Sequence, residues 1–286
     1  MELLLATTLV VKNLGKDWWS GASNEINSWA KSLRLSSPAR HPLPKLIFEW
    51  GSAEASPATY GRMLSFAFDL LDAIDQKDSN LESKLPELKS ESFFETWFEL
   101  HAASIFRRKG MSTRFIGASP TEKRPDLLIK FGDKYVFGEC KMRTGLSPEE
   151  RFSEQIFKER MRSRLGSVEA LLKDASEKVT PEGSPYVVML GIGEPLSTVS
   201  SSLEQKLLQS LIETFLIRNP NITAVVILSE HWFLDGDLVQ FQTRIQYIPS
   251  LVATHALPED FYRILIDAKV NTRPNFESLS EYALRH

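Results

Sequence analysis

Cysteine is almost absent: Cys140 stands alone among 286 residues. That excludes a disulfide within the chain, and no Cys/His cluster with zinc-ligand spacing replaces it. The same scarcity points to a reducing, intracellular compartment, so a cytoplasmic protein is expected. No apolar run reaches the roughly 18–20 residues of a membrane span, and no membrane partner is expected. The opening segment MELLLATTLVVK is apolar, but it carries Glu2 where a signal peptide has basic residues and it ends at Lys12; it is expected as a buried strand or short helix. Internal repeats and low-complexity segments are missing too. The five histidines, at 41, 101, 231, 255 and 286, are scattered without metallohydrolase spacing. His101 reads as a packed or partly exposed neighbour rather than a ligand.

Strong net charge is also lacking. The formal total is -3, which by itself does not mark a nucleic-acid binder. Its distribution is uneven, however. Between His101 and Leu165 there are about 15 Lys and Arg against about 8 Asp and Glu, so the rest of the chain is acidic. A phosphate-rich substrate would favour such a local surplus, although a solvated helix face of mixed charge produces part of the same signal. The composition, 42% hydrophobic and 25% charged, is that of a globular chain with a sizeable core. Its length suits one large domain or two modest ones.

Residues 1–85 read as a mostly helical region of unknown role. A helix is expected over Asn24–Leu35 and a stronger one over Tyr60–Ile74, where Met63, Phe66, Leu70, Leu71 and Ile74 form one stripe. Gln76–Ser90, polar and holding Pro86, reads as a linker or surface loop. The pattern then changes. Glu91–Lys109 has Phe94, Trp97, Phe98, Ala102, Ile105 and Phe106 at helical spacing, with Gly110 as a stop. Ser112–Ile116, Asp126–Phe131 and Lys134–Lys141 are strand-like, the last two joined by a tight turn at Gly132-Asp133. A helix should follow Pro148 to about Leu172. Strands are expected at Tyr186–Ile192 and Ile222–Leu228, flanking a helix at Leu203–Ile217, and a hairpin over Trp232–Tyr247 should turn at Asp235-Gly236. This order describes an α/β domain, a mixed sheet flanked by helices.

The chemistry concentrates in Arg124-Pro125-Asp126-Leu127-Leu128-Ile129 and Val136-Phe137-Gly138-Glu139-Cys140-Lys141. Glu139 and Lys141 lie two apart on a strand, so their side chains project from one face. Asp126 begins the neighbouring strand, and the hairpin returns it beside them. Two carboxylates and an ammonium then converge at one sheet edge. Mg²⁺ favours a few hard oxygen ligands completed by water and substrate phosphate. The lysine adds a point charge that can orient an attacking water and offset charge growing on phosphorus.

On these residues the chain resembles the PD-(D/E)xK nuclease superfamily, which includes type II restriction endonucleases and archaeal Holliday-junction resolvases. Pro125-Asp126 matches the "PD" and Glu139-Cys140-Lys141 the "(D/E)xK", and the resemblance covers Glu91 to about Arg143. It implies a restriction-endonuclease-like core, with a catalytic domain over 86–286. It also implies Mg²⁺, one or two ions, held by Asp126 and Glu139, with Lys141 as the charged catalytic group. The family's helix glutamate falls on Glu99, which has the resolvase spacing to Gly110 and would complete the metal shell directly or through water, with Glu95 one turn earlier as the fallback. The implied activity is endonucleolytic hydrolysis of phosphodiesters, in DNA first, of a restriction or other defence type; a homodimer stays open. Arg124, Lys158 and Arg162 are candidates for phosphate contact, and Lys158 and Arg162 read equally as a solvated face shared with Glu154 and Glu159. The rival reading is a catalytically silent, nuclease-like subunit that binds a protein partner through its acidic N-terminal region. Gly191-Ile192-Gly193 lacks the third glycine and following helix of a dinucleotide site.

Overall fold

The computed structural model describes residues 2–31, 57–143, 154–192, 201–235 and 238–266, except 79, 91, 118, 120, 179, 181 and 182. The chain divides into two compact units. One is built on the residues up to Ser104 and takes in Trp232–Gln242; the other is built on Ile105–His231 and continues from Thr243. The division falls inside a helix. Among the described residues no helix is long and apolar enough to cross a membrane.

The first unit is helical. The apolar opening forms α1 (Glu2–Leu14), whose Ala6, Leu9, Val10 and Leu14 are buried. Gly15, at φ +93, ends α1 and lets α2 (Lys16–Lys31) start at once. That helix begins earlier than the sequence pattern suggests, and residues 32–35 of the expected one lie outside the described residues. The stripe around Leu70 becomes α3 (Pro57–Asp75), which packs on α1. The stretch expected as a loop holds a further helix, α4 (Leu81–Glu87). An Asx-type turn starts it, with Asn80 N–H donating to Asp78 Oδ1 at 3.0 Å, and the buried Leu81 and Leu88 anchor both ends. About two turns, mostly polar and charged, are too short for a periodic signal. Helix α5 (Phe93–Arg108) follows, and its Phe93 and Trp97 meet Phe66 edge-on at 5.1 and 5.7 Å. Asp69 is fully buried in this unit, where it accepts from Trp97 Nε1 at 3.2 Å and lies 2.8 Å from His101 Nδ1.

The end of α5 follows the expected stop. Gly110 at φ +81 takes the left-handed position. Its N–H reaches Arg107 O at 2.8 Å and Met111 N–H reaches Phe106 O at 3.0 Å, the pair of bonds of a Schellman cap. The second unit then builds a six-stranded sheet in the order β1-β2-β3-β4-β5-β6. Strands β1 (Ser112–Phe115), β2 (Leu127–Phe131) and β3 (Lys134–Arg143) form an antiparallel meander. Gly132, at φ +60, supplies the tight turn between β2 and β3. Helix α6 (Glu154–Ser176) carries the chain to β4 (Tyr186–Ile192), and α7 (Ser201–Arg218) carries it to β5 (Ala224–Asp235). Both crossovers join parallel strands. β6 (Leu238–Pro249) lies beside β5, and α8 (Glu259–Ile266) follows. β5 and β6 are the hairpin expected over Trp232–Tyr247, with β5 ending at Asp235; its first strand is the far end of the strand expected at Ile222–Leu228, so one long strand replaces two shorter ones, and Gly236 lies outside the described residues.

Two right-handed crossovers that advance in one direction across a sheet place both helices on the same face. The core shows this: Val168, Leu172 and Ala175 of α6 and Leu208, Ile212 and Leu216 of α7 pack on Tyr186, Val188, Leu190, Val225 and Ile227. On the opposite face Phe261 of α8 contacts Phe106 and Phe131 at 6.0 and 5.9 Å. Register therefore decides which face each residue of β3 serves. Gly138 is paired with Leu127 and belongs to the face of Ile129, while Glu139 points the other way. A Cβ on Gly138 would come within 2.6 Å of Met189 Cε and 3.4 Å of Ile129 and Leu127.

Gly138→Val should therefore destabilise the protein by about 1–3 kcal/mol through overpacking, as measured by urea denaturation. A change within about 0.5 kcal/mol of zero would contradict this register.

A candidate active site on the third strand

Pro125 has no N–H to give a ladder, so regular pairing of β2 begins only at Leu127. Asp126 nevertheless stays in line: its N–H donates to Gly138 O at 3.0 Å and its O accepts from Ile116 N–H at 2.8 Å. Asp126 itself is a bend residue just ahead of the Leu127–Gly138 pair where the ladder begins, close enough for its charge to act on Glu139. The Asp126 side chain replaces the missing rung, Oδ2 accepting the Cys140 N–H at 2.7 Å. A carboxylate is thus fixed at the point where the two strands separate.

Glu139 is completely buried on that face. Its Oε1 lies 2.8 Å from Lys141 Nζ and 3.0 Å from Lys178 Nζ, both as ion pairs rather than well-directed hydrogen bonds. Its Oε2 has no hydrogen-bond partner among the described residues. Burial first, and the nearby charge of Asp126 second, push the Glu139 carboxyl up to about 7, against the opposing pull of the two lysines. Lys141 is held above the ordinary lysine range: burial works against its charge, but Asp174 and Glu139 outweigh it. Asp174, on α6, is 2.5 Å from Lys141 Nζ and is drawn below the usual carboxylate range chiefly by that contact. These two tendencies around one pair pull in opposite senses. The rise at Glu139 is the firmer, because Asp174 alone, well exposed, can keep Lys141 charged.

Lys178 and Asp174 complete a cluster that the motif does not announce. Lys123 joins at its rim, 2.5 Å from Glu177 and 3.9 Å from Asp174. Behind it Tyr186 is buried; burial and then the charges of Glu139 and Asp126 raise its phenol far above the ordinary value, and it donates to Ala175 O at 2.8 Å. The signal for Asp174 and Lys178 lay in the crossover. A helix joining parallel strands must return over the face that bears Glu139 and Lys141, and these polar residues flank its apolar Leu172 and Ala175.

Glu99 is buried in the helical unit, 2.7 Å from Lys84 Nζ, while Glu95, one turn earlier, is exposed. Lys84 is raised above its ordinary value, burial opposing its charge and Glu99 and Glu87 favouring it. Arg124 is exposed and turned to Glu122, 2.9 Å away. Lys158 and Arg162 fall on α6, and their side chains are outside the described residues. His101 is a buried neighbour of Asp69, as its position suggested.

Among the described residues no group of three or more His, Cys, Asp or Glu is arranged to hold a metal ion. Mg²⁺ needs fewer, since one or two carboxylates with water and phosphate suffice. Asp126 and Glu139 fit that demand: one is fixed by a backbone N–H, the other offers a buried oxygen that has no donor among the described residues.

The raised Glu139 carboxyl has a consequence for stability. The folded protein holds this proton more tightly than the unfolded chain, so stability is highest below about pH 4.5 and falls as pH rises to about 7, by at most about 3 kcal/mol. Thermal unfolding of wild type and Glu139→Gln from pH 5 to pH 8, without divalent cations, should show this decline in wild type only. A parallel pH dependence in the variant would place the titration elsewhere.

Comparison with protein-family models, with curated proteins and with solved structures finds no match to this chain.

Proposed function

We propose that the chain is a Mg²⁺-dependent nuclease that hydrolyses phosphodiesters in nucleic acid, DNA in the first place, through Asp126, Glu139 and Lys141. The observation that carries this reading is the Glu139 carboxylate, fully buried, within reach of the Asp126 charge, and with one oxygen that has no hydrogen-bond partner among the described residues. A group so placed is costly unless a proton or a cation shares it. The element order around it, a helix, a three-stranded meander, a crossover helix and a parallel strand, supports the resemblance to PD-(D/E)xK nucleases. Asp126 and Glu139 would hold the cation; when bound, it supplies Lewis-acid charge to the phosphoryl group. Lys141 sits on the same face as both acids, its ammonium kept charged by Asp174, where it can orient a water and offset charge on phosphorus. The site proposed is confined to the sheet unit. Glu99, in the helical unit, pairs with Lys84.

One observation favours the rival, a silent nuclease-like subunit. Lys178 adds a second ammonium to Glu139, and a carboxylate between two lysines is also what a purely structural ion-pair knot looks like. Cleavage decides between them. Plasmid DNA and single-stranded oligonucleotides incubated with Mg²⁺ should be cut, and EDTA should stop it. Asp126→Asn and Lys141→Ala should each lower the rate at least about 10²-fold with folding intact. Activity within a few-fold of wild type in either variant would remove these residues from the reaction, and no Mg²⁺-dependent cutting of any nucleic acid would leave the structural knot.

A further inference from the structure

The crossover helices cover only part of their face of the sheet. Their core involves β4, β5 and β6, with Phe137 of β3 at its margin. The same face of the meander carries Ser112 and Arg114 from β1, Leu128 and Lys130 from β2, and Tyr135 and Phe137 from β3, which pair across the strands in two rows. With Ser184 they line an open depression of about 390 Å³. Its chemistry is mixed in a particular way. Arg114 and Lys130 are exposed and make no ion pair among the described residues, so their charge faces outward unspent. Tyr135 leaves 48% of its surface exposed, unusual for a large ring on a sheet, while Phe137 forms the half-buried floor. This is also where part of the basic surplus of the middle of the chain is displayed.

We propose that this face of the meander is a cradle for single-stranded nucleic acid, with phosphates at Arg114 and Lys130 and a base against Tyr135. Cations beside an exposed ring are the two elements that hold a single strand: the charges track the backbone and the ring stacks on a base irrespective of sequence. A duplex offers phosphates but keeps its bases stacked inside, so Tyr135 would have no base face to meet. Direction along β3 gives the cradle its purpose. Tyr135, Phe137, Glu139 and Lys141 alternate onto one face, so Tyr135 stands about 13 Å from Glu139 along the strand. A strand lying on Tyr135 is led toward Asp126 and Glu139. That last step rests on the nuclease reading; the binding itself does not.

The experiment is anisotropy with labelled oligothymidylate, oligouridylate and a mixed-sequence duplex of equal length, in EDTA, over a series of KCl concentrations. Wild type should bind both single strands more tightly than the duplex, and DNA and RNA within a few-fold of each other, since neither contact reads the 2′-hydroxyl. The double variant Arg114→Gln/Lys130→Gln should lose about 1.4 from the slope of log K against log salt, for two phosphate contacts on a single strand. Tyr135→Ala should weaken binding at least about five-fold with the slope unchanged, and Tyr135→Phe should restore it. Unaltered single-strand binding in both variants at matched melting temperature, or preference for duplex, overturns the cradle. Mg²⁺-dependent cleavage in wild type alongside such unaltered binding would overturn the cradle and leave the nuclease standing. Single-strand binding that responds to the variants without any cleavage would support the cradle and count against the nuclease.

Discussion

A carboxylate removed from water needs a proton, an ammonium or a metal ion to share its charge, and the arrangement around Glu139 follows from that need. The residue is completely buried, yet it lies near Asp126, whose charge makes its own harder to carry. Lys141 and Lys178 both reach one of its oxygens and leave the other without a donor among the described residues. Two ammonium groups do not bring its carboxyl back to the ordinary range, because desolvation is the larger effect. The pocket is therefore short of positive charge at one oxygen while being crowded with it at the other. A hard divalent cation is the group that best matches that asymmetry.

Much of this was legible in the sequence, and the reasons are local. The turn at Gly132-Asp133 fixes the hairpin, and counting back along two strands from it pairs Leu127 with Gly138, one residue short of Asp126 and Glu139. Period-two alternation puts Glu139 and Lys141 on one face, and Gly110 ends α5 where a left-handed residue is needed. What was hidden depends on pieces distant in the chain. Asp174 and Lys178 enter the cluster through the return of α6 over the sheet, which no motif spacing encodes. Lys84, which pairs with Glu99, lies on a short helix that polar composition disguised as a loop. The hairpin expected over Trp232–Tyr247 is there as β5 and β6, but its first strand is continuous with the buried strand before it, a join that the sequence pattern split in two.

The sheet also separates labour between its faces. One face of the meander serves packing: Leu127, Ile129 and Val136 are fully buried, and Gly138 leaves no room for a side chain. The other face is free of that duty along β1, β2 and the first half of β3, then becomes buried at Glu139 where α6 closes over it. Tyr135 and Phe137 at the open end and Glu139 and Lys141 at the closed end are consecutive same-face positions of β3. A substrate that touches both must lie along β3, which ties binding and chemistry to a single register.

Diffraction from crystals soaked in Mn²⁺ tests the central claim most directly, because Mn²⁺ takes oxygen ligands as Mg²⁺ does and scatters anomalously. The account predicts an anomalous peak between the Asp126 and Glu139 carboxylates in wild type, absent from Asp126→Asn. A wild-type map with no peak there, and with Lys141 and Lys178 still paired to Glu139 at saturating Mn²⁺, would contradict it.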